Sequence, residues 1–147
     1  MYPIMKRIHK EMEDNSTRAQ VFQTATIKYD FVNSTIRVTI DNKKFHISNN
    51  YPFARPIVFI NGMTYLQYMK PPTKRIYRIM SKLKYECPCC NTILSNWSSV
   101  YTITKILDEI DNFNHIKRAV KHYIAVEELG KKYRIISQLP NEILAYL

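Results

Sequence analysis

The chain has 147 residues, 46% of them hydrophobic and 23% charged, which suffices for one buried core and leaves no apolar run near the ~20 residues that span a bilayer. Its 22 lysines and arginines against 12 acids give a net charge of +10, which fits either a nucleic-acid partner or merely a basic surface and carries no information about fold. Three cysteines crowded into Cys87-Pro88-Cys89-Cys90 are odd in number and cannot staple a secreted domain, so they read as reduced thiols.

One domain over residues 1–147 is expected, beginning with a helix from Pro3 to about Asp14. Ile4, Met5, Ile8 and Met12 share one stripe of it, and Lys6, Arg7 and Lys10 lie on the other side. From Val21 the period becomes two, with Val21, Ala25, Ile27, Tyr29 and Phe31 on one face of a strand. Asn33-Ser34 and Asp41-Asn42 mark turns, Ile36, Val38 and Ile40 alternate between them, and Phe45 and Ile47 continue the meander. Tyr51-Pro52-Phe53-Ala54-Arg55-Pro56 is a stiff connector, because each proline removes a donor and biases the preceding residue toward extended geometry. Ile57 to Ile60 gives a fourth strand, closed by Asn61-Gly62.

Residues 63–86 read as an insertion with one extra helix from Thr73 to Lys84, where Ile76, Ile79, Met80 and Leu83 recur at helical spacing. Beyond the cysteines, Ile103, Ile106, Leu107, Ile110 and Phe113 predict an amphipathic helix. The C-terminal helices of 115–147 then begin with one from His115 to Leu129, stopped by Gly130. Helix, four-stranded antiparallel meander, inserted helix and C-terminal helices make an α+β layout with helices on one face of the sheet.

Three fragments in fixed order carry the functional reading: Lys6-Arg7-Ile8-His9-Lys10-Glu11, then Tyr51-Pro52-Phe53 with Pro56, then Cys90-Asn91-Thr92-Ile93-Leu94 followed by Trp97-Ser98-Ser99-Val100-Tyr101-Thr102-Ile103. Over roughly residues 4–115 the chain resembles the ubiquitin-conjugating enzymes, with their Tyr-Pro-Phe-x-x-Pro turn, Cys-x-x-Ile-Leu and Trp-Ser-Pro loop. The resemblance implies the UBC-like fold, with Cys90 carrying ubiquitin or a ubiquitin-like modifier as a thioester and passing it to a lysine amine. Counting back from Trp97 by the commonest family spacing reaches Cys89, the second choice. The same resemblance implies that Lys6, Arg7 and Lys10 meet an activating enzyme, and that Phe53, Ser98, Ser99 and Val100 meet a RING-type ligase. The family's His-Pro-Asn is missing, and Asn91, ahead of Asn61 and Asn96, is the candidate for its oxyanion-supporting amide. Serine stands at position 99 where the family has proline.

No cofactor is expected. Zinc on Cys87, Cys89 and Cys90 is the alternative use of the thiols, with a fourth ligand such as His115 or His122. Lys82 and Lys84 are the cations expected beside the thiol. The insertion's Lys70, Lys74, Arg75, Arg78, Lys82 and Lys84 could meet nucleic acid, although no nucleic-acid motif accompanies them. Leu139 to Leu144 resembles the opening of an F-box, but a proline-started terminal helix explains it. The alternative function is an inactive binding or structural module of the same fold. With two glycines and abundant Ile, Lys, Asn and Tyr, the composition points to an AT-rich genome such as a large DNA virus and suits a virion protein. Met1–Lys6 lacks the apolar centre of a signal peptide, so the expected location is cytoplasmic, in host cytoplasm or virion if viral.

Overall fold

In the computed structural model of the protein, which describes residues 3–13 and 25–137 with side chains to residue 134, helix α1 spans Pro3–Glu13. Pro3 is tolerated because a first-turn N–H has no partner within the helix. Ile4 and Ile8, one turn apart, are buried, while Lys6 and Lys10 are exposed.

The sheet contains β1 (Thr26–Asp30), β2 (Thr35–Ile40), β3 (Lys43–Ile47), β4 (Ile57–Ile60) and β5 (Met63–Thr64), each antiparallel to the next in chain order. Its tight turns use left-handed backbone at Ser34, Asp41, Asn61 and Gly62, where short polar side chains or no side chain keep the steric cost low. Period-two alternation buries Ile36, Val38, Ile40, Phe45, Ile47, Val58 and Ile60 on one face. The opposite face carries Arg37, Lys44, His46 and Phe59 in neighbouring registers.

The buried face is covered by α1 and by the first turns of α4 (Ile103–Ser137), whose Ile103, Ile106, Leu107, Ile110 and Phe113 complete the core. Each such side chain contributes roughly 1.5–3 kcal/mol on burial. The helix α3 (Lys74–Lys82) forms a second cluster, packing Ile79 and Met80 against Ile116 and Val120 of α4. Helices on one face of an antiparallel sheet make this an α+β protein. Among the described residues no helix is long and apolar enough to cross a membrane.

The details depart from the sequence-based expectation in instructive ways. The sheet gains a fifth strand of two exposed residues, Met63–Thr64, too short to show any alternation. The segment 63–86 holds a second helix, α2 (Tyr65–Met69), started by a capping box in which Thr64 and Gln67 bond each other's backbone N–H groups. Two helices were expected after the cysteines, but α4 runs unbroken through Gly130. An isolated glycine costs a helix only about 1 kcal/mol relative to alanine, and no proline reinforces it. The expected first strand is described from Thr26, while its start at Val21 and the Leu139–Leu144 motif lie outside the described residues.

Candidate functional site at the cysteine turn

Pro88–Cys90 form a single 3₁₀ turn, closed by the Cys90 N–H donating to the Cys87 carbonyl at 3.4 Å. Proline at the first position fixes the turn's φ and lacks only an N–H that would have no partner there. The compact turn brings the sulfurs together: Cys87 Sγ and Cys89 Sγ are 2.8 Å apart, and Cys89 Sγ and Cys90 Sγ 3.8 Å. The three thiols differ in setting. Cys90 is exposed, whereas Cys87 and Cys89 are half-buried, Cys89 lying against the main core. The hydrogen bond to Cys87, followed by burial, pushes the Cys89 thiol up to about 12. Burial acts in the same upward direction on Cys87, but hydrogen bonds from Cys89 and Cys90 outweigh it and hold that thiol below its ordinary value.

An open groove of about 450 Å³ runs from the thiols toward α3 and is lined by Lys70, Pro72, Lys74 and Tyr77 as well as all three cysteines. Its cations are therefore Lys70 and Lys74. Lys82 and Lys84, expected there from the sequence, close α3 and its following turn and do not line the groove.

The loop after the cysteines is held from two sides. Thr92, almost fully buried, accepts from Ser95 N–H through its hydroxyl at 3.1 Å and from Asn96 N–H through its carbonyl at 3.2 Å. From α4, the Glu109 carboxylate accepts the Ile93 N–H at 3.0 Å and also the Tyr65 hydroxyl of α2. Burial and then that carboxylate keep the Tyr65 phenol protonated well above its usual range. Arg55 donates to the Leu94 carbonyl at 2.8 Å, fixing the loop to the entrance of β4.

A latch joins the sequence fragments singled out above. Glu11 on α1, with only 8% of its side chain exposed, accepts from Arg7 Nε at 2.8 Å. It also accepts from the Tyr51 hydroxyl at 2.6 Å and from the Ile103 N–H at the start of α4 at 3.2 Å. Arg7 reaches on to the Ser99 carbonyl at 3.1 Å. Trp97 donates through Nε1 to the Pro52 carbonyl at 2.7 Å, its ring standing against Tyr51 and Tyr101. The Tyr51-Pro52 peptide bond is cis.

The sequence-predicted residues are thus distributed unequally. Lys6 and Lys10 stand exposed on α1, but Arg7 is half-buried and committed to Glu11 and Ser99. Phe53 is 83% and Val100 76% exposed, on loops tied together by the Trp97–Pro52 bond, and Ser98 and Ser99 are half-buried between them. Asn91 follows Cys90 directly and is exposed, its amide oxygen accepting from the Asn96 side chain. Asn61 sits instead in the β4–β5 turn, bonded to Asn42. His115 and His122 do not join the cysteine cluster, which alone among the described residues has metal-ligating spacing. Sequence reading gave no site role to Glu11 or Glu109, and placed Lys70 and Lys74 against nucleic acid rather than in the thiol groove. Two carried a signal: Glu11 lies four residues after Arg7, and Glu109 is an acid inside an apolar-periodic helix.

No family model matches the chain, and neither a curated protein nor a solved structure matches it.

Proposed function

We propose that this protein is a UBC-like, ubiquitin-conjugating-type domain in which Cys90 carries ubiquitin or a ubiquitin-like modifier as a thioester. The observation that carries the reading is an exposed Cys90 at the mouth of a cationic groove, on a loop whose Trp97 is bonded to the Tyr51-Pro52 turn. Cys90 sulfur attacks the modifier's C-terminal carbonyl carbon, a new C–S bond forms, and the activating enzyme's cysteine leaves as a thiol. A lysine amine then attacks the same carbon, releasing the Cys90 thiol and leaving an amide. Lys70 and Lys74 put positive charge along the groove where the anionic tetrahedral intermediate forms. With its oxygen held by Asn96, Asn91 has its amide NH₂ on offer to that oxyanion.

On this reading the exposed Lys6 and Lys10 meet the activating enzyme, and Arg7 instead supports the helix that presents them. Phe53 and Val100 supply the apolar contacts for a RING-type ligase. A second reading, an inactive binding or virion module of the same architecture, is favoured by the three thiols facing one another. A non-reducing gel with ubiquitin, ATP and a panel of activating enzymes decides between them. The expected result is a thiol-sensitive adduct lost in Cys90→Ser, retained in Cys87→Ser and Cys89→Ser, and discharged roughly 10²–10³-fold more slowly in Asn91→Ala. No adduct with any activating enzyme, beside a control that charges, would refute the thioester function.

A further inference from the structure

We infer that Cys87, Cys89 and Cys90 form a three-thiolate site for one zinc ion with its fourth coordination position open. The inference rests on the sulfur constellation and not on the thioester reading; both use the Cys90 sulfur, so bound zinc and a Cys90 thioester exclude each other. With a Zn–S bond of ~2.3 Å, tetrahedral geometry sets ligand sulfurs ~3.8 Å apart. Here all three sulfurs lie within 4.8 Å of one another, with Cys89 and Cys90 at 3.8 Å. Cys87 and Cys89, at 2.8 Å, need to separate by about 1 Å, a rotamer adjustment for two half-buried side chains that line the open groove.

Thiolate softness selects zinc over magnesium or calcium, whose preferred ligands are oxygens. Each thiol loses its proton on binding, and the metal takes the sulfur lone pair in its place. No histidine or carboxylate joins the cluster among the described residues. The fourth position therefore opens onto the groove of Lys70 and Lys74, where water or an incoming anion completes the shell.

The test uses the reduced full chain and zinc alone, titrated against a chromophoric chelator, with Co²⁺ as the spectroscopic probe. One zinc per chain is expected, unaffected by excess Mg²⁺, with thiolate-to-cobalt charge transfer and the visible bands of a tetrahedral ion. Cys87→Ser, Cys89→Ser and Cys90→Ser should each weaken binding more than about a hundredfold. His115→Ala and His122→Ala should leave affinity unchanged, and loss of binding in either would overturn the open position. Because a serine variant can fail to fold, the wild type supplies an independent readout: zinc should protect all three thiols from alkylation. Absence of stoichiometric binding, or alkylation unchanged by zinc, overturns the site. With charging assayed on zinc-free protein, a chain that binds zinc but never charges refutes only the thioester reading, and one that charges but never binds zinc refutes only the metal site.

Discussion

Replacing Glu11 with alanine removes one carboxylate that accepts three hydrogen bonds, from Arg7, Tyr51 and the Ile103 N–H. Arg7 contributes little to the loss, because its side chain is 37% exposed and turns to water. The Tyr51 hydroxyl and the Ile103 N–H are more enclosed, and leaving each without a partner costs about 1–3 kcal/mol. The anion at the start of α4 adds up to ~1 kcal/mol of dipole stabilisation. The sum is about 2–7 kcal/mol, a large share of the ~5–15 kcal/mol that holds a domain folded. At about 2–4 °C per kcal/mol for a chain of this size, the melting temperature should fall by roughly 10 °C. Urea titration followed by Trp97 fluorescence suits the test, because Trp97 is the only tryptophan and stands against Tyr51. Tyr51→Phe, which keeps the ring, should cost ~1–2 kcal/mol, and Arg7→Ala about 1 kcal/mol or less. A Glu11→Ala protein within ~1 kcal/mol of wild type, or less damaged than Arg7→Ala, would show that the carboxylate is not the centre of the latch.

In the zinc-free protein, alkylation by iodoacetamide at pH 8, mapped by mass spectrometry, should modify Cys89 last. A thiol pushed up to about 12 is almost wholly protonated at that pH, and equal rates at the three positions would contradict that shift. Burial, then Arg37 and Lys44, holds His46 below its ordinary 6.5, so protonation favours the unfolded chain. Its effect on stability is absent above pH 6.5; stability falls as pH drops below that value and levels once the lowered folded value is passed. His46→Gln should flatten that acid limb in urea midpoints measured from pH 8 to 5, and an unchanged slope would remove His46 as its cause. Gly130→Ala should raise helicity by far-UV circular dichroism and stability by up to about 1 kcal/mol, since an added Cβ at Gly130 meets nothing within 4 Å. A lower melting temperature would contradict that free space.

What could be read directly from the sequence was whatever depends on neighbours along the chain. The alternation of Ile36, Val38 and Ile40, and of Phe45 and Ile47, identifies strands because the pleat turns every second side chain to one face. Asn61-Gly62 marks its turn because both residues accept the left-handed backbone found there. Helix α2 was hidden because five residues are too few to show a period, although Thr64 and Gln67 already spelled its capping box. The break expected at Gly130 overrated a weak local preference. The site was harder to see, since Glu11 finds Tyr51 and Ile103 only after the sheet has brought distant parts of the chain together. Arg7 shows the same limit: composition marks it as a surface cation, and the fold makes it an internal strut.

The uninterrupted meander bears on how the molecule assembles. Every strand of the sheet pairs with its successor in sequence, and three of the four connections are loops of two to four residues, so most of the pairing carries low contact order. The bond from Glu11 to Ile103 instead spans 92 residues, and its loop-closure entropy rises only logarithmically with that separation. The sheet can therefore serve as a template on which α1 and the start of α4 meet late, and the seam they close runs past Trp97 and the loop that follows Cys90. Chain collapse and completion of the surface around the cysteine loop become separable in time, with backbone signals rising before the tryptophan signal.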